Sequence, residues 1–304
     1  MNTVKTVFLF PGQGSQSIGM MKNLAQDQPS VMETFNEASE ALDFNLWSLI
    51  QEGPLEDLNR TENTQPAMLA AGIATWRAWR SMGGSLPTHL AGHSLGEYSA
   101  LVAAQSLEFA DALKLVRHRG ALMQAAVPED EGAMAAIIGM DNAALETLCI
   151  EAAGDEIVSC ANYNAPGQVV IAGQRSAVER ACALALDVGA RRAIPLPVSV
   201  PSHCMLMRDA AGELHDALKE LTVTSPKIPV VHNADVQSHD DPELIRDMLA
   251  RQLWLPVQWT RTIQMLVEHD AQCFVECGPG KVLAGLNRRI ERHVPVHALT
   301  DTAA

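Results

Sequence analysis

The chain has 304 residues, 47% hydrophobic but only 4% aromatic. That length accommodates one α/β domain with an inserted subdomain, and an aliphatic, Ala-rich interior suits helices packed on a sheet. Lys plus Arg total 22 against 36 Asp plus Glu, a net charge of −14, which argues against a surface built for phosphate backbones, so no nucleic-acid partner is expected.

The six cysteines (Cys149, Cys160, Cys182, Cys204, Cys273, Cys277) form no CxxC pair and no Cys/His set at zinc spacing, so reduced, buried thiols are expected. The apolar run Val7–Phe10 is far too short for a signal-peptide core. No stretch approaches the ~20 apolar residues of a membrane helix. These features predict a cytoplasmic chain with no membrane partner.

In chain order, Thr6–Phe10 reads as a buried strand ending in a Gly-rich loop at Pro11-Gly12. Residues 30–50 look helical. Thr64 is expected to cap a helix that opens with Gln65-Pro66 and stops at Gly83-Gly84. His89–His93 is a second short strand, followed at once by a helix over Leu95–Gln105 and another over Phe109–Ala126. From about 130 the pattern changes. A strand at Ala133–Gly139 precedes a helix capped by Asp141. Two strands, Ile157–Tyr163 and Gln168–Ala172, are joined by the turn Asn164-Ala165-Pro166-Gly167. Ser176 and Glu179 have the spacing of a capping box, and Arg191–Val198 closes the unit as a strand. The order β-α-β-β-α-β is that of a ferredoxin-like unit. Beyond Pro201 the expected order is helix (Leu206–Leu221), strand (Pro229–Asn233), helices (Pro242–Gln252, Trp259–His269), strand (Gln272–Glu276) and a last helix after Gly278-Pro279-Gly280. The predicted fold class is therefore α/β: a core with a mostly parallel sheet over 1–128 and 199–304, and a small ferredoxin-like subdomain over 129–198.

Gly92-His93-Ser94-Leu95-Gly96 is G-x-S-x-G between a strand and a helix. In that context the serine sits on a sharp turn, exposed, with a helix N-terminus aimed at developing negative charge. The backbone N–H of Leu95 is then a natural oxyanion donor. The serine needs a base, and ten histidines compete for the role. His203 stands out because Val198–His203 is an extended, Pro-bracketed segment opening a helix, but the pattern alone does not select it. A serine hydrolase would place an acid and then a histidine after Ser94, an order that Asp235 with His269 or His297 satisfies. Gly12-Gln13-Gly14 follows a strand, yet Ser17 stands where a dinucleotide fingerprint needs its last Gly.

An ordered set of motifs runs through the chain: Phe10-Pro11-Gly12-Gln13-Gly14-Ser15-Gln16, Gly92-His93-Ser94-Leu95-Gly96-Glu97-Tyr98, Arg119-Gly120, and Asn162-Tyr163-Asn164-Ala165-Pro166-Gly167-Gln168. Pro201-Ser202-His203-Cys204, Gln252 with Pro256-Val257-Gln258-Trp259, and Gly278-Pro279-Gly280 complete it. Taken together, these motifs resemble the malonyl-CoA:acyl carrier protein transacylase family. The resemblance implies a hydrolase-like α/β core and Ser94 as nucleophile. It implies His203 as general base, oriented by the backbone carbonyl of Gln252. It further implies an oxyanion hole from the N–H groups of Gln13 and Leu95, Arg119 on the malonyl carboxylate, and Asn162 beside the site. The implied partners are malonyl-CoA and holo acyl carrier protein. No metal or redox cofactor is expected, and a monomer is. A non-catalytic carrier-binding protein would be expected to lack Ser94, His203 or Arg119, and all three are present. Arg288, Arg289 and Arg292, with Lys281 nearby, mark a candidate carrier-docking patch on the last helix, against the alternative of a plain solvated face.

Overall fold

The computed structural model describes residues 4–128, 130–198 and 200–299. Its strands, in chain order, are β1 (Thr6–Phe10), β2 (His89–Gly92), β3 (Gly132–Ile138), β4 (Val158–Ala165), β5 (Gln168–Gln174), β6 (Arg192–Pro195), β7 (Val230–Val231), β8 (Cys273–Glu276) and β9 (Val296–Ala298). They form two sheets. The larger runs β7-β2-β1-β8-β9 and all its pairings are parallel. The smaller is antiparallel, in the order β4-β5-β3-β6.

A parallel sheet covered on both faces needs apolar residues on both sides of each strand. β1 supplies them by alternation. Phe8 and Phe10 enter one core with the helices Pro29–Leu42, Thr61–Ser81 and Phe109–Ala125, while Val7 and Leu9 enter the other with Trp259, Ile263 and Phe274. The small sheet divides in the same way. Ala135 and Ile137 of β3 pack under the helices Asn142–Ala153 and Arg175–Asp187, while Met134 on the opposite face joins Ala161, Val170, Ala172 and Cys204.

Several local expectations are corrected. The helix expected from Gln65 begins at Thr61 and contains Pro66. Thr64 does not cap it, because it lies inside the first turn, where its N–H donates to the Arg60 carbonyl (2.8 Å) and its hydroxyl donates to the carbonyls of Leu58 (2.6 Å) and Arg60 (3.2 Å). The Ser176/Glu179 capping box does not form. The N-cap is Gln174, and Ser176 turns its hydroxyl to Glu156. The helical region 30–50 is two helices, since Asp43 at φ 59° ends the first and Asn45 caps Leu46–Glu52. Strand β9, unforeseen in the sequence, extends the parallel sheet beyond β8.

The two sheets are stitched together. Tyr163 N–H donates to the Val257 carbonyl (2.9 Å) and Val257 N–H to the Ala161 carbonyl (2.9 Å), a short parallel bridge from β4 to the segment after Leu255. This joint closes one side of a cleft whose floor is formed where β1 and β2 end.

Candidate active site

Ligands of open parallel sheets bind outside the carboxyl ends of the strands, and Pro11–Gln13 and His93–Ser94 lie there, after β1 and β2. The bend at Ser94 is feasible only because the residues two positions to either side, Gly92 and Gly96, lack side chains. A Cβ on Gly92 would lie 1.9 Å from the Gly96 carbonyl carbon, and one on Gly96 would lie 2.0 Å from the Phe10 carbonyl oxygen. Glycine thus lets strand, turn and helix pack at backbone contact, and Ser94 takes φ 52° at the apex.

Ser94 Oγ lies 2.8 Å from His203 Nε2. His203 Nδ1 lies 2.7 Å from the Gln252 carbonyl oxygen. A carbonyl can only accept, so Nδ1 carries the proton and Nε2 is left as the acceptor facing the serine hydroxyl. His203 is also pinned through its backbone, whose N–H donates to the Leu253 carbonyl (2.9 Å). Burial, and then the positive charge of Arg119, push the His203 pKa down to about 3, so the ring is neutral and able to take a proton.

Arg119 is almost fully buried on helix Phe109–Ala125, where the sequence left open a solvated face. Gly120 permits this, because a Cβ there would meet the Glu62 Cα at 2.7 Å. Its guanidinium donates to Gln65 Oε1 (2.8 Å) and Gln252 Oε1 (2.9 Å), while Nε is buried without a hydrogen-bond partner. Among the described residues no carboxylate pairs with it. Burial lowers its pKa, yet a guanidinium starts so far above neutrality that it remains cationic. A buried cation with unfilled donors is a receptor for an anion.

Ser94, His203 and Arg119 line one cavity of about 200 Å³ with Gln13, Leu95, His93, Asn162 and Asn164, while Gln252 stands behind it, bonded to His203 and Arg119. Its remaining wall is apolar, including Met123, Met134, Val198, Val200 and Leu286. Ser94 N–H is taken by Asn233 Oδ1 (2.7 Å). The N–H groups of Leu95 and Gln13 donate to no acceptor among the described residues. Asn162 is buried at the β4 joint, and its neighbour Asn164 meets His93 Nε2 through Oδ1 (2.8 Å).

The structure therefore brings together all seven residues that the resemblance singled out. It does not bring the hydrolase alternatives to Ser94. Asp235 Oδ2 pairs with His239 Nε2 (2.7 Å), His269 Nδ1 with the Met265 carbonyl (2.8 Å), and His297 lies on edge strand β9. Sequence reasoning missed His232 and Asn233, and it quoted Gln65, Asn164 and Glu97 without giving them a role in the site. The one signal for Glu97 was a carboxylate in the first turn of an otherwise apolar helix, Gly96–Ala103.

A strand–turn–helix serine paired with a neutral histidine, beside a buried arginine and free backbone donors, is the apparatus of acyl transfer through a serine. Residues 7–298 match the family described as acyl transferase domain. The chain is 53% identical over 98% of its length, and 96% of the relative's, to the malonyl CoA-acyl carrier protein transacylase of Salmonella typhimurium. It also superposes with TM-score 0.96 on an acyl carrier protein S-malonyltransferase from Vibrio cholerae, 53% identical and covering 98% of both chains. A type II PKS acyl-carrier protein in complex with its malonyl-transacylase gives TM-score 0.97 at 50% identity, covering 98% of this chain and 97% of that one. The chain belongs to the malonyl CoA-acyl carrier protein transacylase family and is an acyltransferase. Among the described residues no helix is long and apolar enough to cross a membrane.

Proposed function

We propose that this protein transfers a malonyl group from malonyl-CoA to the phosphopantetheine thiol of an acyl carrier protein through an ester on Ser94, supplying units for fatty-acid synthesis. The observation that carries the reading is the buried Arg119, which forms no ion pair among the described residues, in the same cavity as the Ser94–His203 pair.

In the proposed first step His203 Nε2 takes the Ser94 proton as Oγ attacks the thioester carbon. The N–H groups of Leu95 and Gln13 hold the oxyanion. Collapse breaks the C–S bond, and the imidazolium returns its proton to the leaving CoA thiolate. The carrier thiol then reverses the path: His203 takes its proton, sulfur attacks malonyl-Ser94, and Ser94 leaves with the proton restored. The Gln252 carbonyl replaces the usual triad carboxylate. It fixes the tautomer and accepts from the imidazolium without adding a full charge. Asn162 lines the cavity from the small sheet, where its amide can meet the acyl or pantetheine chain. This chemistry calls on no metal or redox cofactor.

The acidic chain, at −14, needs a local cationic surface to receive an acidic carrier. The helix Val282–Ile290 offers one. Leu283 and Leu286 line the cavity, while Arg288 is exposed on the same helix and Arg292 just beyond it. Arg289 is committed to Gln168 across the subdomain joint. Docking there would deliver the pantetheine arm to the mouth of the cavity.

The test is an intact mass after mixing with malonyl-CoA alone, followed by peptide mapping. A malonyl adduct on Ser94, absent in Ser94→Ala and chased onto added holo carrier, is the expected result. Rapid release of free malonate without an adduct would instead make the protein a hydrolase.

A further inference from the structure

The amide that clamps Ser94 in its bend, Asn233, lies outside the motif set. One side-chain amide clamps both limbs of the turn: Asn233 Oδ1 accepts the Ser94 N–H (2.7 Å), and Asn233 Nδ2 donates to the Gly92 carbonyl (2.7 Å). Asn233 follows the short strand β7, and its own seat comes from a buried carboxylate. Its backbone N–H donates to Glu97 Oε2 (2.9 Å). The same oxygen accepts Gln252 Nε2 (2.8 Å), and Glu97 Oε1 accepts the His232 Nδ1 proton (2.7 Å). Gln252 Nε2 also reaches the Ser94 carbonyl (2.9 Å). Glu97, His232, Asn233 and Gln252 are all essentially inaccessible to solvent. A buried polar side chain needs its hydrogen bonds made, and the oxygens of Glu97 have three. The carboxylate thereby ties the turn that carries the nucleophile to the turn whose carbonyl orients the base.

We infer that Asn233, seated by Glu97, is a positioning residue for the acyl-transfer reaction: it sets the Ser94 bend so that Oγ meets His203 and the Leu95 N–H is left for the acyl oxygen. Two features support more than a packing role. Ser94 is held at φ 52°, a conformation a non-glycine residue keeps only when its surroundings impose it. Asn233 also withdraws the Ser94 N–H from the site, so the oxyanion donor on this side is defined as the next residue along. Neither Asn233 nor Glu97 lines the cavity, so neither is placed to bind the acyl donor itself.

The inference rests on the transfer reading above, and its test separates the two. The rate of Ser94 acylation by malonyl-CoA, from quenched-flow intact mass, is compared with the affinity for a non-transferable thioether analogue of malonyl-CoA. For Asn233→Ala the expected result is a fall in acylation rate of about 100-fold, the cost of a misplaced reacting group, with analogue affinity within about twofold of wild type. Glu97→Gln keeps the side chain's shape but loses an acceptor, and a fall of about tenfold is expected, again with binding retained. Effects in the double variant should be less than multiplicative, as for residues acting as one unit. Acylation at the wild-type rate in folded Asn233→Ala would overturn the inference. So would acylation and analogue affinity declining together, which marks a general loss of structure. If Asn233→Ala does not fold, wild-type acylation by Glu97→Gln overturns it. A wild-type protein that never becomes acylated would instead sink the transfer reading.

Discussion

Ser94 and His203, joined by a 2.8 Å hydrogen bond, are also both held in the left-handed backbone region, at φ 52° and φ 62°. That conformation costs a non-glycine residue roughly 1–2 kcal/mol. Each is restrained by its own backbone N–H, Ser94 through Asn233 and His203 through the Leu253 carbonyl. Nucleophile and base are thus presented by two strained turns whose geometry the surrounding core imposes.

Arg119→Ala should separate substrates. The arginine is buried, with donors left for a carboxylate and no acidic partner among the described residues. Malonyl-CoA should lose about 100-fold or more in kcat/KM, while acetyl-CoA, which leaves the wild-type guanidinium unpaired, should hold or gain. Steady-state kinetics with both thioesters check this, and an equal loss for both would remove Arg119 from selectivity.

The same variant should move the acid limb of the pH profile. Wild-type His203 has its pKa pushed down to about 3 by burial and by Arg119, so the base stays unprotonated as pH falls from 7 to 5. Removing Arg119 deletes a positive charge and admits water, and both changes raise the pKa toward its ordinary value. With acetyl-CoA as donor, kcat/KM of Arg119→Ala should therefore decline between pH 7 and 5, where the wild-type base does not titrate. Superimposable profiles would contradict the electrostatic coupling.

Gln252→Ala tests a division of labour within one residue. The backbone carbonyl serves His203, whereas the side chain serves Arg119, Glu97 and the Ser94 carbonyl. Truncation keeps the carbonyl, so base function should survive. The unseated arginine should weaken malonyl binding, raising the malonyl-CoA KM by about tenfold, the worth of a hydrogen bond to a charged group. A collapse of activity with both acetyl and malonyl donors would show that the side chain also maintains the base.

Charge reversal at Arg288 and Arg292 tests the docking face. Both are exposed, and neither has a hydrogen bond or ion pair among the described residues. The double Glu variant should raise the carrier-protein KM by about tenfold at low salt, less at high salt, and leave acylation by malonyl-CoA unchanged. An unaltered carrier KM would move docking elsewhere.

What the sequence determined by itself was whatever depends on neighbours in the chain. Alternation in Val7–Phe10 set a strand buried on both faces, and the glycines at 92 and 96 set the elbow around Ser94. Two runs joined by Asn164–Gly167 formed the β4–β5 hairpin, and Asp141 capped its helix. Those are short-range effects of side-chain size, period and turn chemistry. The tertiary structure decided the long-range pairings, which no local pattern encodes. Local pattern left His203 one histidine among ten and only the family resemblance singled it out; the fold is what sets it against Ser94, 109 positions away in sequence. Arg119 was assigned to the malonyl carboxylate only through the family resemblance, and its burial follows from Gly120, which lets its helix approach Glu62 at backbone distance. Glu97, Asn233 and Gln252 converge from separate turns because a buried carboxylate must gather its hydrogen-bond donors from wherever the chain brings them. Thr64 and Ser176 do not cap because their helices begin earlier, at Thr61 and Arg175, so both hydroxyls lie inside the helix and donate to nearby oxygens instead.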